Sequence, residues 1–231
     1  VLLLHIKNDT ITHSIKNYII KRIKQKEVEK MNENITMKNP AIGNILAKGV
    51  RVITVPPVLI TGMLVILTVS LDNFCSSMAQ MILAVLLLGL VPILAYPIQK
   101  LLPSKGEVRE EQRNLAFILT FAGYLTALIF SVAGNCGRQL QYIIISYFIS
   151  MSLLVFFNKV LHVRASGHAC SVTGTLYFLS FFLGAAAIIP CVCIAAAVVW
   201  SSLRLKRHTI QEIFWGSAVC LPCILASVFI L

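Results

Sequence analysis

The sequence predicts an all-α protein, a polytopic transmembrane helix bundle of about seven spans. Three observations carry that prediction. Of the 231 residues 58% are hydrophobic and 13% are charged, against about half and about a quarter in an ordinary soluble domain. A mean hydropathy of +0.84 exceeds what one globular core of this size can hide behind a polar surface. Finally, the basic residues cluster between alternate apolar runs, the pattern of a chain that weaves through a bilayer.

The chain divides into a basic juxtamembrane segment, 1–50, and a transmembrane domain, 51–231. Within the first, Ile11, Ile15, Ile19 and Ile23 recur at every fourth position among many lysines, one stripe of a helix. This predicts a basic amphipathic helix over about 10–31 on the membrane surface, or else a solvated tail. Val1–His5 has no signal-peptide pattern, and the opening on Val leaves a missing N-terminus as an expectation.

The spans follow in order. Val52–Leu71 carries no charge, and Pro56 and Pro57 should bend or delay its first turns. Met78–Ile98, Leu115–Ala133 and Leu140–Phe157 are the next three apolar runs. Ser171–Trp200 is thirty residues long; as one helix it would rise about 45 Å, beyond a hydrocarbon core of about 30 Å. Gly184 and Pro190 lie near its middle, so it is expected to split into helices over about 168–185 and 187–203. Ile210–Leu231 is the last run.

Charge supports the split. With seven spans the N-terminal segment and loops 99–114, 158–170 and 201–209 share one side and, with Arg51, hold nineteen of the twenty Lys and Arg residues; the far side holds only Arg138. By the positive-inside rule the basic side is cytoplasmic. The expected location is thus a cell membrane, multi-pass, with the N-terminus and the basic loops in the cytoplasm. In a soluble protein a net charge of +11 would suggest nucleic acid; here membrane lipids with anionic head groups are the expected partners and nucleic acid is not.

Seven cysteines are present. Cys191, Cys193, Cys220 and Cys223 sit in apolar runs and read as small hydrophobic residues rather than as a metal or redox set. Cys75 and Cys136 fall in two loops on the far side, where a disulfide is a possible outcome.

The polar residues at membrane ends need a reason. Loop 158–170 reads Asn-Lys-Val-Leu-His-Val-Arg-Ala-Ser-Gly-His-Ala-Cys, and 201–212 reads Ser-Ser-Leu-Arg-Leu-Lys-Arg-His-Thr-Ile-Gln-Glu. Cations, Ser-Gly amides and a helix N-terminus bind phosphate. His208 and Glu212, four apart, share one helical face. The carboxylate can then hold one ring nitrogen and leave the other to attack. Lys159, Arg164, Arg204 and Arg207 would neutralise a phosphate ester, whose transferring group spreads its charge over equatorial oxygens. The plain alternative is that His168 and His208 anchor helix ends and the cations set topology. That alternative is preferred for His162 and Lys206.

Ala165-Ser166-Gly167-His168 resembles the Pro-Ser-Gly-His motif of the type 2 phosphatidic acid phosphatase (PAP2) superfamily. Leu203–Glu212 followed by Gly216 resembles its third motif, an Arg ahead of a His that is followed by three residues and an Asp. The resemblance is good over about 155–231. It implies an α-helical PAP2-like core in the C-terminal half that removes phosphate from lipid phosphates and diphosphates through a phosphohistidine, with no metal or other cofactor. It further implies His208 as nucleophile, Glu212 as its orienting carboxylate, His168 as the acid for the leaving alkoxide, and Ser166 with the Gly167 amide as phosphate ligands. Three departures stand out. Ser202 occupies a position that is usually Arg, leaving Arg204 or Arg207 to take over. Ala165 replaces Pro. The family's first motif, a Lys and then Arg-Pro, has no clean match; Lys159 with Arg164, or Arg109 with Arg113, offer substitutes. Arg109 and Arg113 equally suit a salt-bridged loop with Glu107, Glu110 and Glu111.

The expected function is an integral membrane phosphatase acting on a lipid phosphate or isoprenyl diphosphate. The alternative is a non-enzymatic membrane protein, either a degenerate phosphatase that binds anionic head groups or a small transporter. No span carries Lys, Arg, Asp or Glu at mid-depth, which argues against the transporter.

Overall fold

The computed structural model describes residues 40–101 and 108–230, together with Glu27. Apart from Glu27, the helix expected over 10–31 lies outside the described residues, as do Glu107 and Leu231. Every described element is helical, and no strand occurs among the described residues. In chain order the helices are α1 (Pro40–Ile53), α2 (Pro56–Ser70), α3 (Met78–Leu101), α4 (Val108–Ala133), α5 (Arg138–Lys159), α6 (Gly167–Leu183), α7 (Ala185–Arg204) and α8 (Ile210–Ile230).

Four of these, Met78–Leu101, Glu110–Ala133, Arg138–Lys159 and Ala185–Arg204, are long and apolar enough to cross a membrane; the bent pair α1 and α2 makes a fifth candidate. This fits an integral membrane protein. Helix α6 has 17 residues and the apolar part of α8 is Ile210–Ala226, at the short end of the roughly 17–25 residues that span a bilayer.

Residues Ala47–Leu231 form one compact unit. Helix α5 is its centre. It packs against α4, α6 and α8, and 56% of its apolar window is buried, against 22% for α4 and α7. Leu140, Ile143, Ile144, Tyr147, Met151 and Leu154 all face other helices. A helix that is apolar all round belongs inside a bundle, whereas α7 keeps an apolar side for lipid.

Proline and glycine explain the irregular points. Pro92 lacks an N–H and crowds the carbonyl four residues back. The preceding turn relaxes to a π-helix over Val85–Leu90, where Val91 N–H reaches back to Leu86 O. A Cβ on Gly89 would lie 2.7 Å from Thr61 Oγ1, and one on Gly123 would lie 2.7 Å from Leu87 O. These glycines let α3 approach α2 and α4 closely.

The break expected within Ser171–Trp200 falls at Gly184. Its φ of 69° ends α6, and α7 starts at the next residue. Pro190 breaks nothing: it lies inside α7. Helices α6 and α7 pack on each other, so they form the expected hairpin.

At the end of α5 remote from Lys159, the loops are tied by Gln80 Nε2 donating to Gly134 O at 3.1 Å. Cys75 and Cys136 are free thiols there, and burial pushes both above their ordinary range.

Candidate active site

At the opposite end the chain makes a strap. Residues 160–166 leave α5 and cross to the start of α8, where Ser166 N–H donates to Glu212 O at 2.9 Å. This contact needs Gly216. A Cβ there would sit 2.3 Å from Ser166 O, an impossible overlap with backbone. Asn158 Nδ2 fixes the other side of the strap by donating to Leu154 O at 2.9 Å and Ala165 O at 3.1 Å. Ser166 then caps α6, its Oγ accepting from Ala169 N–H at 3.2 Å.

The strap and the first turn of α8 build one polar cluster. His208 Nδ1 lies 2.9 Å from Glu212 Oε2. Arg164 Nε lies 3.5 Å from the other oxygen, Oε1. Glu212 therefore holds a residue of the strap and a residue of the turn that leads into its own helix. The Glu212 side chain is only 16% exposed, and that of Arg164 is 71% exposed. An exposed guanidinium adds little stability as an ion pair, and Arg164 can turn to another anion at small cost. A half-buried carboxylate beside Nδ1 favours the ring form that carries a proton on that nitrogen.

A cavity of about 770 Å³ opens beside this cluster. His168, His208, Glu212, Gly167, Arg164, Arg207 and Arg113 all line it. The two histidines expected to share a substrate thus face one hollow, from α6 and from the turn before α8. His168 Nε2 is buried and has no hydrogen-bond partner, so it is placed to exchange a proton with whatever enters. Arg113 carries a loose contact, 3.5 Å from Nη2 to Glu110 Oε1.

The cavity also runs inward. Along α4 its wall passes from Glu110 to Tyr124, fourteen residues, or about 21 Å of helix rise. Along α5 it runs from Asn158 to Tyr147. Its upper wall carries charge; its depth is lined by Phe117, Met151, Leu88 and the tyrosine pair. That is the polarity profile of a charged head on an apolar body.

Three expected residues lie elsewhere. Lys159 Nζ donates to Asn114 Oδ1 at 2.7 Å and is not in the lining. Arg204 is exposed and outside it. Ser166 is buried and its hydroxyl caps α6, so among the Ser-Gly pair it is Gly167 that reaches the cavity. His162 is exposed on the strap, at a φ of 54°.

Two features of the lining are invisible in the motif pattern. One is Arg51, which the charge count assigns to topology and which the structure places in the wall. Its signal was faint: the last cation of the basic segment's run, five residues before Pro56. The other is the pair Tyr124 and Tyr147, whose rings meet edge-on at 5.8 Å, with Tyr147 Oη 2.7 Å from Thr175 Oγ1. They look like ordinary aromatic residues of apolar runs. Among the described residues no cluster of three or more His, Cys, Asp or Glu side chains could hold a metal ion. No family model, curated protein or solved structure matches this chain.

Proposed function

We propose that this protein is an integral membrane phosphatase that hydrolyses a lipid phosphate or an isoprenyl diphosphate through a phosphohistidine. The observation that carries the reading is the 2.9 Å contact of His208 Nδ1 with Glu212 in the same cavity as His168. A carboxylate-oriented imidazole beside several guanidiniums is a nucleophile set for an anion.

The chemistry follows from the geometry. Arg113, Arg164 and Arg207 bind the phosphoryl oxygens as bidentate or single donors. His208 Nε2 attacks phosphorus, forming a P–N bond as the P–O bond to the leaving group breaks. His168, neutral in the empty cavity, takes up a proton as the anionic substrate binds, and its Nε2 gives that proton to the departing alkoxide, which leaves as an alcohol. Water then attacks the phosphohistidine, with the now neutral His168 accepting its proton. The P–N bond breaks and inorganic phosphate departs. Glu212 stabilises the positive imidazole between the steps.

The membrane arrangement belongs to the same proposal. Seven apolar passes, α2 to α8, put the strap, the turn before α8 and Arg51 at one membrane face. The charge count makes that face cytoplasmic. The depth of the cavity then lies within the bilayer, where a lipid tail resides.

The test is phosphate release by the purified chain in lipid nanodiscs, from phosphatidate and from a polyprenyl diphosphate. Release that stops in His208→Ala, with an acid-labile phosphoprotein seen only in the parent, is expected. No release from either substrate, with no binding of orthovanadate, would overturn the reading in favour of a non-catalytic membrane protein.

A further inference from the structure

We propose that Arg51 is a phosphate-binding residue of this cavity, delivered to it by the proline elbow between α1 and α2. The inference rests on the phosphatase reading above and extends its binding set to a part of the chain without a motif.

Three observations carry it. First, Arg51 is the single cation that the described residues before α4 contribute to the wall. Its guanidinium atom Nη1 has no exposure to solvent. An arginine serving only as a topology marker keeps its head group in water; this one turns inward. Its charge also lies near enough to act on the His168 ring.

Second, the charges of the lining leave a surplus. The wall has four guanidiniums, from Arg51, Arg113, Arg164 and Arg207, and two carboxylates, from Glu110 and Glu212. With neutral histidines the wall carries a net excess of two positive charges, which a phosphate monoester dianion would neutralise. Without Arg51 half of that excess is gone.

Third, the local backbone aims the residue. Pro56 and Pro57 cannot donate to the preceding turn. Helix α1 therefore ends at Ile53, and Thr54 closes it with its N–H and its Oγ1 both on Val50 O, at 2.9 and 2.8 Å. The helices on either side meet at 54°. Arg51 lies five residues before Pro56, about 7.5 Å along a helix, so a bend of this size displaces it by several ångströms relative to a straight continuation. A straight helix would not present it to the same wall.

The experiment uses the full chain in nanodiscs, with orthovanadate as the phosphoryl probe and phosphate release from phosphatidate as a second readout. Arg51→Ala is expected to weaken vanadate binding by about 10- to 100-fold, the range for a charged hydrogen bond. Arg51→Lys should recover only part, because a point charge lacks the guanidinium fork. Replacing Pro56 and Pro57 together by Ala should weaken vanadate to a similar extent. Adding Arg51→Ala to that pair should then cost little more. Vanadate affinity and turnover of Arg51→Ala within two-fold of the parent would overturn the assignment. Full additivity of the proline pair with Arg51→Ala would overturn the elbow. Should Arg51→Ala not fold, Arg51→Lys decides: weakening of about five-fold or more supports the proposal, and parent-like binding overturns it. Failure of the parent itself to bind vanadate or release phosphate is a different result, and it removes the phosphatase reading as well.

Discussion

His208 Nδ1 and Glu212 Oε2 lie 2.9 Å apart, the first in the turn before α8 and the second in the first turn of that helix. The carboxylate is also tied to the strap, through Arg164 on its side chain and Ser166 on its backbone. A change at Glu212 therefore reaches both His208 and the loop that faces it. Glu212→Gln keeps the size and an acceptor but removes the charge that stabilises a cationic ring. Turnover should fall by about 10²-fold or more, with the thermal midpoint moving little. Glu212→Ala should lose both turnover and midpoint. Equal midpoints for the two variants would argue that the side chain does not help to hold the strap.

In the proposed mechanism His168 has a separable role. A proton donor matters when the leaving group is a poor one, such as an alkoxide. His168→Asn should lower kcat for phosphatidate by about 10²- to 10⁴-fold. It should affect p-nitrophenyl phosphate much less, because that leaving group departs without help. Equal losses on both substrates would show that His168 acts on binding or on the second, hydrolytic step rather than as the acid.

Gly216 tests the strap directly. Gly216→Ala puts a methyl group where Ser166 O now stands, so α8 and the strap must part and the Ser166–Glu212 backbone bond must lengthen. The expected loss of stability is about 1–3 kcal/mol, read as a lower thermal midpoint in nanodiscs. Turnover should fall further than a uniform loosening predicts, since Arg164 and Glu212 separate with it. Parent-like stability and activity would mean that the two backbones have room to spare.

Sidedness needs a reporter at an accessible place. Ser201 faces the protein interior and would label poorly in either orientation. Leu161 on the strap and Asp72 at the far end are both exposed. In a background with the native cysteines replaced, Asp72→Cys should react with an impermeant maleimide in intact cells. Leu161→Cys should react only after the membrane is opened. The reverse pattern would turn the active-site face outward.

The helical class of this protein was legible in its residues because the signal is repetitive. Long uncharged runs cannot be anything but buried, and Gly184 marks the turn of the α6–α7 hairpin since only glycine adopts its φ of 69° cheaply. The nearness of His208 and Glu212 was legible from their spacing of four, but not its form: His208 lies in the turn before α8 rather than on one helical face with Glu212. Other placements depend on partners that no local pattern names. Ser166 and Lys159 look like phosphate ligands in a list of polar residues. Their hydroxyl and ammonium go instead to the Ala169 amide and to Asn114, which folding brings near. Gly216 matters only because Ser166 crosses it, and Arg51 reaches the cavity only because the α1–α2 bend brings it there. Local sequence thus determines which segments are helices and which side chains ride on one face. The approach of separate helices, set by packing and by where the chain bends, decides which of those faces share a cavity.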